Sequence, residues 1–266
     1  MGSANVVLAL FQVDAFTSRL FGGNPAAVVI LEQWLADEVL QAIAAENNLA
    51  ETAFVVPGET TSLLRWFTPS TEVDLCGHAT LAAGHVLFAH HFPSRTQLHF
   101  STRSGVLGVS REGDLLSLDL PARPGTPIAD SDELVLALGA RPSAVYLGRD
   151  VLAIFDTESA ILNLRPDLGR VAALDAFAVI ASAPGDAVDF VSRFFAPRAG
   201  IPEDPVTGSA HCTLVPYWAA RLGKTTLNAR QLSSRGGELR CELRGDRVAI
   251  AGHAVEYLCG EITVPG

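Results

Sequence analysis

The chain has 266 residues, 48% of them hydrophobic, with 23 glycines and 15 prolines. That is a globular composition with material for two ordinary domains and many turns. A formal net charge of −10 without any Lys/Arg cluster argues against nucleic acid and anionic membranes, partners that need a positive field to displace counterions.

In chain order, the apolar opening "ANVVLALF" has no basic region and runs into Gln12 and Asp14, which fits a first strand better than a signal peptide, so no export is expected. "NPAAVVIL" (Asn24–Leu31) reads as a strand, and "DEVLQAIAAENN" (Asp37–Asn48) as an amphipathic outer helix with Val39, Leu40 and Ile43 on one side and an asparagine stop. "ETAFVV" begins an apolar strand at Glu51, next to that helix end. Leu75–Ser94 carries no formal charge with His neutral and is long enough to span a bilayer, yet it holds three Gly/Pro and four His residues and reads as a buried helix. "DLPARPGTPIADSDE" (Asp119–Glu133) interrupts the periodicity and marks a seam, dividing the chain into residues 1–121 and 122–266, with the last strand free to return to the first domain. Cys76, Cys212, Cys241 and Cys259 form no CxxC pair and have no His at finger-like spacing. Neither a structural zinc site nor a disulfide framework is indicated, and reduced thiols in a cytoplasmic protein are expected.

The two halves repeat one another. "RWFTP" (Arg65–Pro69) returns as "RFFAP" (Arg193–Pro197), and "STRSGVL" (Ser101–Leu107) as "SSRGGEL" (Ser233–Leu239). The Gly-Asp pair at Gly113 and Asp114 returns at Gly245 and Asp246, and between these anchors "CGHATLAAGHVLF" (Cys76–Phe88) is matched by "TGSAHCTLVPYWA" (Thr207–Ala219), while a looser alignment of "ETAFVV" with "LDAFAV" (Leu174–Val179) sets Leu174 opposite Glu51. Each half then runs through strands, an arm ending in Phe-x-Pro, a Gly-led apolar helix, and a hairpin with a Gly-Asp turn. A helix apolar on most sides has to be surrounded. The expected fold class is therefore α/β (α+β): two pseudo-symmetric domains, each a curled, mostly antiparallel sheet wrapped around a central helix. Two Gly-led helix N-termini facing a shared cleft would suit a small carboxylate-bearing ligand, although both glycines also suit a plain loop-to-helix turn.

"DAFTSRLFGGNPAAVVIL" (Asp14–Leu31), "NNLAETAFV" (Asn47–Val55), "DLCGHAT" (Asp74–Thr80) and "EDPVTGSA" (Glu203–Ala210), in this order and over essentially the whole chain, resemble the PhzF-like family of phenazine-biosynthesis isomerases. The resemblance implies a diaminopimelate epimerase-like fold, a homodimer, and an isomerase that needs neither metal nor organic cofactor. It makes Glu51 the general acid/base that moves a proton between carbons of a small carboxylate, as in isomerisation of trans-2,3-dihydro-3-hydroxyanthranilate. It also makes His78, Asp204 and Ser209 pocket residues that orient or protonate the substrate, with His78 and Asp204 in catalytic roles. Cys76, Gly77 and Gly208 join Ser209 as substrate-binding positions, and Arg19–Pro25 borders the pocket.

Taken without the resemblance, the residues leave alternatives open. A partly buried carboxylate at position 51 can act as base and then acid, but the same place suits an exposed strand start. His78 fits an internally satisfied helix-start histidine, Asp204 before Pro205 a turn or cap, and Ser209 a small first-turn residue. The nearest rival is a two-base racemase or epimerase with Cys76 as one thiol. Its repeat partner is Thr207, too weak an acid to be the second base, and Cys212 lies five residues further on. A catalytically silent small-molecule binder is the other alternative. A Cys–His hydrolase is disfavoured because Cys76 and His78 stand too close in sequence to face one another.

Overall fold

The computed structural model describes residues 5–265, so the Ala4 that opens the first apolar stretch and the outermost residues of the expected domains, 1–4 and 266, lie outside the described residues. Contacts divide the chain into two compact units, one reaching Asp119 and resuming at Ala251, the other spanning Leu120–Ile250.

In the first unit, β1 (Val6–Ala15) turns through residues 16–23 into the antiparallel β2 (Asn24–Ile30). Helix α1 (Asp37–Asn47) then crosses to β3 (Glu51–Val56), parallel to β2 with Ala26 opposite Glu51. β4 (Ser62–Phe67) is antiparallel to β3 and pairs with the short β5 (Glu72–Val73). Helix α2 (Gly77–Val86) leads to β6 (Gln97–Thr102), parallel to β4, and β7 (Gly105–Glu112) and β8 (Leu115–Pro121) follow as antiparallel neighbours. The C-terminal strand, Ala254–Val264, pairs antiparallel along the whole of β1.

Helix α2 explains the curl of this sheet. Every residue from His78 to Val86 except His85 is buried, and the helix packs against β1, β2, β3, β7 and the C-terminal strand. Small residues let the strands come close: a Cβ on Gly84 would stand 2.9 Å from Cγ1 of Val109 on β7. Helix α1 covers the other face with Leu40, Ile43 and Ala44 against Val29, Phe54 and Phe67. With both faces covered, β2 and β3 are near-continuous buried runs. Asn48 ends α1 in the left-handed region (φ 49°) and returns its N–H to the carbonyl of Ala44. Within Leu75–Ser94 the helix starts at Gly77 and finishes as one π-helical turn, Leu87–His91, exposed at His90 and His91. Among the described residues, no helix is long and apolar enough to cross a membrane.

The second unit contains β9 (Thr126–Ile128), α3 (Asp132–Leu138), β10 (Ala144–Leu147), β11 (Val151–Ile154), α4 (Glu158–Asn163), α5 (Leu168–Ala173) and β12 (Val179–Pro184). It continues through β13 (Phe190–Ala196), β14 (Ile201–Asp204), α6 (Gly208–Leu222), β15 (Thr226–Gln231), β16 (Gly237–Arg244) and β17 (Arg247–Gly252). Its pairings repeat the first unit's alternation. β10/β11, β12/β13 and β15/β16 are antiparallel, like β1/β2, β3/β4 and β6/β7; β11/β12 and β13/β15 are parallel, like β2/β3 and β4/β6. Both Gly-Asp turns form, with Gly113 and Gly245 at φ 59° and 66°. Trp218 on α6 stacks on Phe190 at 5.7 Å and donates from Nε1 to the hydroxyl of Ser182 at 2.9 Å.

The seam Asp119–Glu133, in which the division between the units falls, carries regular structure: β8 runs through it to Pro121, β9 forms within it, and α3 starts in it at Asp132. The three short helices α3, α4 and α5, each capped by a side chain (Ser131, Thr157, Asp167), take the covering role that α1 has in the first unit. Aligning "ETAFVV" with "LDAFAV" set Leu174 opposite Glu51; strand register replaces it with Ala178. Thr52 faces Phe67 across β3/β4 and Val179 faces Phe195 across β12/β13, and the repeated arms match Phe67 to Phe195.

The close approach at Gly84 sets a test. Gly84→Ala should cost about 1–3 kcal/mol of stability through overpacking against Val109, less the ~1 kcal/mol that Ala gains over Gly in a helix. In a Val109→Ala background the same change should become neutral or stabilising, read from denaturant midpoints.

Candidate active site

Glu51 sits where α1 has just been stopped, and Nδ2 of Asn47 donates to the hydroxyl of Thr52 at 3.1 Å across the link. Because β3 lies between β2 and β4, the carboxyl is held at the start of a central strand and is only 8% exposed. Cys76, in extended conformation (φ −144°), is the N-cap of α2 and gives the helix no side-chain cap. Its carbonyl accepts from the Thr80 hydroxyl at 2.5 Å. His78 follows in the first turn, buried like Glu51 and Cys76.

These three side chains meet. Nε2 of His78 lies 3.1 Å from Oε2 of Glu51, at ion-pair distance rather than in hydrogen-bond alignment. On the other side of the ring, Nδ1 lies 3.1 Å from Nδ2 of Asn24 and 3.5 Å from Sγ of Cys76. Burial alone would favour a neutral ring, but the Cys76 sulfur and the Glu51 carboxylate facing it outweigh burial and hold His78 protonated well above the usual histidine range. Burial, and then the Glu51 charge, push the Cys76 thiol up to about 11. Asn24 can serve either state of the ring: its Nδ2 donates to a neutral imidazole, and its carbonyl oxygen, once the amide is turned, accepts from an imidazolium.

The sequence assigned no role to Asn24, although it lies in the "RLFGGNP" segment expected to border the pocket. It opens β2 completely buried. The preceding loop is tightly set. The Asp14 carboxylate accepts the Phe21 N–H at 2.8 Å, Phe16 and Phe21 take positive φ (62° and 67°), and Gly23 has φ 60° with Ala15's carbonyl oxygen 2.1 Å from where a Cβ would stand. The paired glycines before a buried asparagine were the available signal.

In the second unit, Asp204 ends β14 and Gly208 starts α6, with Ser209 half-buried in its first turn. The Thr207 hydroxyl donates to the Asp204 carboxylate. Gln231 on β15 completes the turn: its Oε1 accepts from the Thr207 N–H at 2.9 Å, and its Nε2 donates to the Asp204 carbonyl at 2.7 Å. Asp204 therefore builds the entrance to α6, and Gln231 was not read from the sequence. Nor was His211, fully buried, whose Nδ1 donates to the Thr207 carbonyl at 2.8 Å and which burial pushes down to about 4. A groove of about 560 Å³ in this unit, walled by Pro124, Tyr146, Leu152, Pro216, Tyr217 and Arg221, takes in none of the candidate residues.

Residues 13–260 match the family model described as phenazine biosynthesis-like protein (PhzC-PhzF). The chain belongs to the PhzF family of isomerases. It is 54% identical to a Pseudomonas aeruginosa protein named as an isomerase, over 96% of this chain and 98% of that one. Its fold is similar to the crystal structure of a PhzF-family protein of Enterococcus faecalis, with TM-score 0.96, 46% identity, and coverage of 97% and 100% of the two chains. A hydroxyproline epimerase of Agrobacterium vitis shares the fold alone, at TM-score 0.63 and 11% identity over 97% of this chain and 92% of that one. These likenesses bear out the expected family and the epimerase-like fold.

Thiol chemistry gives the site its own test. Iodoacetamide at neutral pH should label the exposed Cys259 and leave the buried Cys76, Cys212 and Cys241 unmodified in the folded protein, read by peptide mass spectrometry. Rapid native-state labelling of Cys76 would show a reactive thiol and reopen the two-base reading.

Proposed function

We propose that the protein is a cofactor-independent isomerase in which Glu51 moves a proton between two carbons of one small carboxylate-bearing substrate. The observation that carries this reading is the buried Glu51–His78 pair at 3.1 Å, with Asn24 behind the ring. The carboxylate abstracts a proton from one carbon, leaving the electron pair delocalised into the substrate's conjugated system, and the carboxylic acid so formed returns the same proton to another carbon. His78 keeps the carboxylate positioned and stabilises its charged form before and after the transfer. Gly77 and His78 open a helix whose N-cap supplies no side-chain acceptor, which suits a substrate carboxylate there.

The substrate class, a small ring acid of the dihydro-hydroxyanthranilate kind, rests on the family resemblance. The two-base racemase finds less support. A second base would have to match Cys76, whose own thiol is held protonated, and the repeat supplies Thr207 in that position, its hydroxyl engaged by Asp204.

A panel of small aromatic and cyclohexadiene carboxylates, incubated with the protein in deuterated water and followed by NMR, should reveal a turned-over compound. On that compound Glu51→Gln should reduce the rate by about 100-fold or more, the usual worth of general acid/base catalysis, with folding and binding retained. Undiminished turnover by Glu51→Gln would remove the carboxylate from the shuttle.

A further inference from the structure

Glu51, Cys76 and His78 have a second chemical capacity that proton transfer leaves unused. One donor atom from each lies within 4.8 Å of the others, and all three residues are buried; among the described residues this is the one group of three His, Cys, Asp or Glu side chains so arranged. A thiolate, an imidazole and a carboxylate form a mixed S/N/O donor set. That set favours zinc-like ions over magnesium or calcium, which take oxygen donors. Donors around tetrahedral zinc, at bond lengths of about 2.0–2.3 Å, stand about 3.3–3.8 Å apart, so side-chain movements of order 1 Å gather the trio.

Charge points the same way. Once Cys76 and His78 have each released a proton to solvent, the thiolate and the Glu51 carboxylate together cancel the two positive charges of the ion, which a buried site requires. Asn24 contacts Nδ1 of the ring through its amide, and with that amide turned its carbonyl oxygen would accept the Nδ1–H of a histidine ligating through Nε2, the outer-shell partner such a ligand ordinarily has. Three protein ligands leave a fourth position open, the pattern of an exchangeable site rather than a closed structural one.

We infer that Glu51, Cys76 and His78 form a binding site for a thiophilic divalent cation such as Zn2+, and that the bound ion inhibits the enzyme by occupying the acid/base pair. The inhibition rests on the Glu51 reading given above; the binding does not.

The test uses the full chain carrying Cys259→Ser, which removes the exposed thiol. Added Co2+ should produce a sulfur-to-cobalt charge-transfer band saturating at one ion per chain, and Zn2+ should displace it. Equilibrium dialysis should show one retained Zn2+, held at least tenfold more weakly after Cys76→Ala or Glu51→Gln. Loss of the band in Cys76→Ala, with unchanged circular dichroism, excludes the other buried thiols, Cys212 and Cys241, as its source. Absence of the band in the Cys259→Ser protein overturns the site without recourse to any further variant. So does Zn2+ retention unchanged by Cys76→Ala, which would place the ion elsewhere, for instance at the His90–Glu256 pair on the surface. A band present while Glu51→Gln still turns over would leave the cation site standing and remove the shuttle; the converse would do the reverse.

Discussion

A carboxylate and an imidazole taken out of water together, 3.1 Å apart, are the constraint to which the first unit is fitted. Neither group is stable there alone, because an unpaired buried charge costs several kcal/mol. The fold therefore has to deliver both to one place from distant stretches of chain. Parallel pairing of β2 with β3 brings Asn24 and Glu51 to the starts of adjacent strands, and the extended N-cap at Cys76 turns α2 so that its first-turn histidine reaches both. Removing any one of these placements strands a polar group in the core.

Much of this was legible in the sequence because it follows from local rules. The Gly-Asp turns, the asparagine stop of α1, the Gly-led apolar helices and the Phe-x-Pro arms each leave a short signature, and their repetition exposed the two-part architecture. The family motifs singled out Glu51, Cys76 and His78, and the chain does bring those three together. What the sequence did not show depends on partners far away in the chain. Asn24 becomes significant only when β2 lies beside β3, and Gln231 only when β15 reaches the Asp204 turn. The short helices α3, α4 and α5 lie below the length at which hydrophobic periodicity can be read, and their covering role follows from tertiary packing. The Leu174 alignment failed for a related reason: similarity over six residues is weaker evidence than strand register.

Pro216 shows how the second copy of the scaffold has been put to a different use. A proline inside α6 withdraws the N–H that the carbonyl four residues earlier would accept, and that carbonyl, on Cys212, instead takes the N–H of Arg123 at 2.8 Å. The broken helix bond becomes the anchor for the segment leading into β9. At the matching helix entrances, Cys76 and His78 of one copy stand against Thr207 and Ser209 of the other, and Ala178 occupies the register position of Glu51. At these matched positions the first half carries titrating groups and the second carries none.

That asymmetry has a stereochemical consequence. Under the proposed Glu51 shuttle, a single carboxylate fixed at the head of a clamped strand would pick up a proton and hand it back from one direction. Transfer by Glu51 would then be suprafacial: the departing and arriving hydrogen share one face of the substrate, and the molecule has to slide or pivot beneath the acid between the two events. An inverting enzyme needs opposed bases, whereas a lone shuttle of this kind would write its one face into the handedness of the product.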